Sequence, residues 1–150
     1  MLLVRLPIIA AGGIADGRGI AAALKLGASA VQIGTAFLAC EESNAPPLHR
    51  EKLFSADARR TTLTRAFTGR LARSVHNSFI DAMHTKRPGY PPYPVHSWFM
   101  AHLRGPALEA GRTDLGSFWS GQGAPLLRYR RARELMEFLV ADAARLLVPG

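Results

Sequence analysis

The chain has 150 residues, with 19 lysines and arginines against 11 acids for a formal net charge of +8, and 48% of its residues are hydrophobic and 20% charged. That balance excludes a disordered or fibrous chain and allows a sizeable core, while the length falls well short of the roughly 250 residues of a closed (β/α)₈ barrel. The basic excess is spread along the chain; its densest group, Arg128, Arg130, Arg131 and Arg133, opens a helix that also holds Glu134 and Glu137, so a solvated helix start is expected and no nucleic-acid partner.

The single cysteine, Cys40, makes neither an internal disulfide nor a cysteine metal site, which points to a reducing, cytoplasmic setting. It closes an apolar run and reads as a small buried residue. The longest apolar stretch, Ile20 to Leu38, is broken by Lys25, Gln32 and glycines, so no membrane span or membrane partner is expected.

Residues 1–40 read as strand, helix, strand. Leu6 to Ala11 is a short apolar run closed by Gly12 and Gly13, the pattern of a strand buried on both faces. Asp16 is placed to cap the helix that follows, Ala21, Ala22 and Ala23 favour it, Ile20, Leu24 and Leu26 give it an apolar side, and Gly27 offers a left-handed stop. Ala30 to Ile33 is a second buried strand, and Gly34 with Thr35 opens a further turn. Such a unit requires parallel pairing with helices packed on the sheet. From 41 to 121 the texture changes. Leu48 to Ala58 reads as helix, Thr61 to Phe67 as strand, Thr68 and Gly69 as a turn, Arg70 to Val75 as a returning strand, and Asn77 as the cap of a helix reaching Met83. Pro88, Pro91, Pro92 and Pro94 exclude regular helix and central strand from their segment. Beyond Gly121 a periodic helix sets Leu135, Phe138, Leu139, Ala143 and Leu146 on one side, to be packed against a sheet.

Two glycine turns carry the functional signal. Gly12-Gly13 and Gln32-Ile33-Gly34-Thr35 stand at the C-terminal ends of consecutive strands, the edge where α/β proteins bind ligands. Glycine lets main-chain amides approach a phosphate oxygen that a Cβ would hold off, and a following helix start adds partial positive charge. Thr35 brings a hydroxyl, and the Gln32 amide both donates and accepts, as a heterocycle or a ribityl chain requires. Either turn alone reads equally as a tight turn or a packing glycine; the pair in one unit favours a phosphate clamp. A dinucleotide fingerprint is missing, because Gly12-Gly13-Ile14-Ala15-Asp16-Gly17 departs from G-x-G-x-x-G and no acidic residue follows about 20 positions on. A mononucleotide held by the loops after the last strands of a barrel is the better expectation.

Trp119, Gly121 and Gln122 read either as the lining of a cofactor or substrate cleft or as a packing tryptophan beside a helix cap. None of the five histidines shows a carboxylate at orienting distance in sequence. All five, His49, His76, His84, His96 and His102, read as solvated or structural, with His96 the slightly better alternative because the Pro-rich loop before it is of a kind that folds over a cofactor. No catalytic residue and no metal ligand set is assigned.

Pro7 to Leu38, reading PIIAAGGIADGRGIAAALKLGASAVQIGTAFL, resembles the flavin-phosphate segment of the nitronate monooxygenase family. The similarity continues through Leu63 to Arg70 (LTRAFTGR), the Pro-rich Tyr90 to Pro94, and Phe118 to Gln122 (FWSGQ), and so covers nearly the whole chain. The Gly-Gly-Ile and Gln-x-Gly-Thr pieces are shared with flavin-dependent enoyl-acyl carrier protein reductases, whereas the threonine-rich strand and the Trp-x-Gly-Gln block narrow the match.

The resemblance implies an α/β fold, the C-terminal part of a (β/α)₈ TIM barrel. Residues 1–40 would be its last two strands with the FMN phosphate site, 41–121 an inserted, lid-like small α/β domain, and 122–150 the returning barrel helix. FMN is the implied cofactor, contacted by Gly12, Gly13, Gln32, Ile33, Gly34 and Thr35, and a small nitronate and O₂ are the implied substrates. The family's earlier strands and its catalytic histidine would lie ahead of Met1. The chain therefore reads as truncated, or its gene start as placed too late, supplying the phosphate site but inactive alone. Two alternatives stand beside this reading: a fragment of an enoyl reductase using NAD(P)H and an acidic carrier partner, and a non-catalytic phosphate-binding or interaction domain.

Overall fold

A computed structural model describes residues 6–86 and 89–148. In chain order they form β1 (Ile9–Ala11), α1 (Gly17–Lys25), β2 (Ala30–Gln32), α2 (Thr35–Leu38) and α3 (Pro47–Phe54). There follow β3 (Thr61–Thr64), β4 (Ala72–Val75), α4 (Ser78–Lys86), α5 (Val95–Glu109) and α6 (Ala132–Leu147). The described residues divide into two compact units, 6–56 with 121–148, and 57–120.

In the first unit β1 and β2 pair in parallel, Ile9 opposite Ala30 and Ala11 opposite Gln32, because α1 carries the chain back to the starting end of the sheet. The Asp16 carboxylate accepts the Gly19 amide at 3.0 Å, and Gly27 leaves the helix at φ +100°, a backbone that a Cβ disfavours. The strands are shorter than their apolar runs, and they are not buried on both faces. Ile9 is 60% exposed, and only Ala10 and Val31 of the ladder are half-buried. With helices on one side of a two-stranded sheet, alternate side chains meet cover and open space in turn.

The single helix expected over Leu48 to Ala58 is broken at Ser55, whose backbone is extended, so that α3 gives way to a 3₁₀ turn over Ala56–Arg59. Residues 41–56, expected within the inserted segment, cluster with the first unit. The Glu41 amide donates to the Arg130 carbonyl at 2.8 Å, and the Arg130 guanidinium forks onto Glu51 at 2.7 and 3.2 Å while lying over the Phe54 ring.

α6 buries Leu135, Leu139 and Ala143, the stripe its periodicity announces, but it packs chiefly along α1 rather than on the sheet. The two helices touch through their backbones. A Cβ at Gly17 would stand 2.5 Å from the Ala143 nitrogen, and the Gly17 amide donates to the Asp142 carboxylate at 2.9 Å. Glu42 reaches across to accept the Ala132 amide at 3.0 Å, capping α6 from ninety residues away; that hydrogen bond holds the Glu42 carboxyl below its ordinary value. Ala15, Ala36, Cys40, Leu135 and Leu139 form the core.

The second unit pairs β3 and β4 antiparallel, Thr61 opposite Val75. Asn77 caps α4, its Oδ1 accepting the Ile80 amide at 3.1 Å and its Nδ2 donating to the Gly116 carbonyl at 2.7 Å. The core is Ala66, Phe67 and Ile80, with the Phe79 and Trp119 rings 5.3 and 5.8 Å from Phe67. α5 has no counterpart in the sequence reading. The prolines before it and Gly105-Pro106 within it mask a helix that is held by burying His96, Met100 and Ala107 along one side.

Candidate functional site

Ala11 and Gln32 face each other across the parallel ladder, so the loops leaving the two strands start about 4.8 Å apart. Between them lies a cavity of about 300 Å³ lined by Ala11 to Ala15, Gln32, Gly34, Thr35, Gly121 and Gly123. Gly12 and Gly13 take φ values of +92° and +74°, a conformation that costs other residues about 1–2 kcal/mol. Gly34 does not, for its φ is −100°. A Cβ built at Gly12, Gly13 or Gly34 meets no atom within 4 Å. At Gly34 a side chain is therefore neither strained nor crowded by the protein, and what its absence preserves is the open volume of the cavity.

Gly34 is also the N-terminal flank of α2 and has no side-chain cap. The first intrahelical bond of α2 runs from the Leu38 amide to the Gly34 carbonyl at 2.8 Å, and the amides ahead of it find no acceptor within the helix. The Thr35 Oγ1 accepts the Gly121 amide at 2.8 Å, which leaves its own proton for a ligand. The third segment closes in tightly. A Cβ at Gly121 would stand 3.1 Å from Thr35 Oγ1, and one at Gly123 would stand 2.9 Å from the Gly13 carbonyl oxygen. Gly123 was not anticipated, although the Gly121-Gln122-Gly123 alternation was there to be read.

One expected contribution is already spent. The start of α1 faces two carboxylates of the protein itself, Asp142 on the Gly17 amide and Asp16 on the Gly19 amide. Burial works to raise the Asp16 carboxyl, but the hydrogen bonds from Gly19 and Arg18 outweigh it and hold the group below its ordinary value. It is thus charged, and it offsets the positive end of the helix. Among the described residues no charged side chain lines the cavity, so an anion there meets main-chain amides and the Thr35 hydroxyl.

The remaining candidates are placed as follows. Gln32 lines the cavity. Ile33 turns the other way, its side chain packing on the core cluster of Leu135 and Leu139, so only its main chain is available to a cofactor. Trp119 lies edge-on to Phe67 in the second unit, Gly121 borders the cavity, and Gln122 is exposed. His96 has the structural role expected of it: it is buried, and its Nε2 bonds the Ala66 carbonyl at 2.8 Å. His76 does have an orienting carboxylate. Its Nε2 meets Asp81 at 3.0 Å and its Nδ1 meets the Thr62 hydroxyl at 2.8 Å, a partnership five positions apart that the turn into α4 creates. The buried Cys40 thiol donates to the Ala36 carbonyl at 3.3 Å, and burial together with Glu42 and Glu41 pushes its pKa up. Among the described residues no cluster of three or more metal-ligating side chains occurs, and no helix is long and apolar enough to cross a membrane.

The sequence model of the nitronate monooxygenase family matches residues 2–142. This chain belongs to the nitronate monooxygenase family. It is 49% identical over 138 residues to the nitronate monooxygenase of Pseudomonas aeruginosa, a match covering 91% of this chain and 39% of that protein. With a probable nitronate monooxygenase of Staphylococcus aureus it shares 39% identity, covering 92% and 39%. Among solved structures, nitroalkane oxidase from Streptomyces ansochromogenes matches with a TM-score of 0.87 at 43% identity, over 95% of this chain and 41% of that one. FabK from Thermotoga maritima matches with a TM-score of 0.72 at 36% identity, over 95% and 45%. This nitronate monooxygenase family member thus spans about two-fifths of the length of the curated relatives it matches.

Proposed function

We propose that the chain supplies the FMN phosphate cradle of a flavin-dependent oxidoreductase of the nitronate monooxygenase type, folded as the last two strands and terminal helix of a (β/α)₈ barrel with a small α/β domain inserted. The observation that carries this is Gly34, a position where the backbone tolerates a side chain and the space admits one, on the wall of a cavity that two more glycines leave open. The residues fit the group. Amides of Gly12, Gly13 and Gly34 with the Thr35 hydroxyl hold phosphate oxygens, and Gln32 pairs with the ribityl chain.

The flavin, when bound, takes electrons from the substrate and passes them to O₂. The chain's own part is to fix its phosphate end and so orient it. Gly121 belongs to this cradle, while Trp119 and Gln122 are assigned to the substrate side with a small nitronate as the substrate class. No residue of the chain is assigned the base, and turnover requires part of the family's length that these residues do not span.

Titration with FMN, FAD and riboflavin, followed by flavin fluorescence, tests this reading. FMN is expected to bind, and riboflavin, which lacks the phosphate, at least about tenfold more weakly, the size of one lost hydrogen bond to a charged group. Gly34→Val is expected to lose FMN by a similar factor with its unfolding midpoint unchanged. No spectral change with FMN would leave a non-catalytic domain instead. With the protein completed to family length, oxygen uptake on an alkyl nitronate supports the monooxygenase assignment, and NAD(P)H consumption with an enoyl substrate replaces it.

A further inference from the structure

Another cavity of the first unit, about 350 Å³ in volume, is lined by Arg18, Arg128 and Arg145 together with Asp16, Asp142 and Phe138. It shares no residue with the glycine cavity. Each oxygen of its two carboxylates already accepts a hydrogen bond. Asp16 takes the Gly19 amide on Oδ1 and Arg18 on Oδ2, and Asp142 takes the Gly17 amide on Oδ2 and Arg145 on Oδ1. One oxygen of each is thus drawn to the start of α1, which offsets its charge toward any other anion. The guanidinium groups are not balanced in the same way. Arg18 turns Nε and Nη2 onto a single oxygen at 2.9 and 2.6 Å, and Arg145 turns Nη2 to Asp142 at 2.7 Å, so among the described residues their other N–H groups meet no protein acceptor. Arg128 has no hydrogen bond or ion pair among the described residues and lies over the Phe138 ring, 5.8 Å from its centroid. Its neighbours do find carboxylates, Arg130 on Glu51 at 2.7 Å and Arg131 3.9 Å from Glu41. The Asp16 carboxylate holds Arg18 above its ordinary value and Asp142 adds to this, so the two ion pairs form one cluster.

We propose that this cavity binds a phosphate group, gripped by Arg128 and by the uncommitted N–H groups of Arg18 and Arg145. The site is independent of the flavin cradle and of the reading that rests on it. The donor and acceptor balance selects the ligand class. A guanidinium only donates, and the carboxylate oxygens present are engaged, so the lining takes a ligand rich in acceptors. It also holds one more cation than it holds anions, from which a neutral sugar or a cation gains nothing. A carboxylate presents only a pair of oxygens to the three arginines, whereas a phosphate sets acceptors around a tetrahedral centre and suits planar forks that approach from several sides. The Phe138 ring fixes the fork of Arg128 in advance, which reduces the ordering that binding requires.

The test is titration of the chain with inorganic phosphate at physiological ionic strength, where distant exposed charges are screened, followed by NMR at the arginine Nε–H groups and at the amides of Gly12, Gly13 and Gly34. The Nε–H signals of Arg18, Arg128 and Arg145 are expected to shift along one saturating curve, with acetate at least about tenfold weaker than phosphate. Arg128→Gln should weaken phosphate at least about tenfold, the size of one lost hydrogen bond to a charged group. Because Arg128 is exposed, that variant should keep the unfolding midpoint of the parent. Lys25→Gln removes the same charge from an exposed position of α1 and should change binding by less than about twofold. Glycerol phosphate separates the sources of the group: tighter binding than inorganic phosphate assigns a phosphate monoester, equal binding the free ion, and either supports the site. Shifts that never saturate, separate curves for the three arginines, acetate bound as tightly as phosphate, or equal losses in Arg128→Gln and Lys25→Gln would each overturn the proposal. Shifts confined to the glycine amides keep the cradle and remove this site; shifts confined to the arginines do the reverse.

Discussion

The first unit presses main chain against main chain, at Gly17 beside Ala143 and at Gly123 beside Gly13. The second closes on side chains, with Phe67 and Ile80 fully buried against Phe79 and Trp119. The contrast follows from what each unit offers. The amide cradle proposed for the first unit would require loops without Cβ atoms, carried by helices fixed through backbone contact and carboxylate caps. A hairpin with flanking helices has no such demand and fills its centre with rings. Residues that look unremarkable in the first unit are therefore the sensitive ones, whereas the second is sensitive where any core is.

The largest effect is expected at Phe67. Truncation to alanine should cost about 3–5 kcal/mol and shift chemical denaturation accordingly. The comparison sharpens if the altered protein still binds FMN within about twofold at temperatures where it stays folded, since the core that Phe67 fills shares no residue with the lining of the proposed cradle. Gly17→Ala comes next. Its new methyl would stand 2.5 Å from backbone that cannot yield like a side chain, so a loss near the upper end of the overpacking range, about 3 kcal/mol, is expected. A stability unchanged in denaturant would show that α1 and α6 do not meet through their backbones.

Asp16 gives a smaller and pH-dependent effect. Asp16→Ala removes a helix cap worth about 1 kcal/mol, whereas Asp16→Asn keeps a capping oxygen and loses only the charge. Because the folded protein holds the carboxyl below its ordinary value, its ionisation adds stability that is full above the usual aspartate range and fades as the pH falls through the depressed value. Thermal unfolding of the asparagine variant should accordingly change less steeply on acidification than that of the parent. The smallest effect concerns Cys40, which should resist alkylation while the chain is folded and react once it is unfolded, because burial keeps the thiol protonated. Fast labelling of the native chain would break the picture of a closed first-unit core.

How much could be read beforehand differs between the units for physical reasons. The strand, helix and strand of the first unit and the stripe on α6 were legible because period and caps are local properties of sequence. The Asp142 contact to Gly17 was not, since nothing near either residue announces a partner 125 positions away, and it is this contact that withdraws the start of α1 from anion binding. Ile33 was assigned by its place in a motif, while the two-residue alternation of a strand sends its side chain with that of Val31 into the apolar side. In the second unit the hairpin and the Asn77 cap were visible, but α5 was hidden by prolines that act as breakers in a short window, and which a helix fifteen residues long absorbs by burying one face.

The bond between the Asp142 carboxylate and the Gly17 amide also fastens the returning segment to the opening one, so residues 57–120 leave and re-enter a body already tied shut. Lengthening or shortening such an excursion changes the entropy of closure only logarithmically. The first unit should accordingly accept inserts of very different sizes at this point, and a graft joining Ala56 to Gly121 through a flexible linker is a minimal scaffold on which to test the proposed cradle.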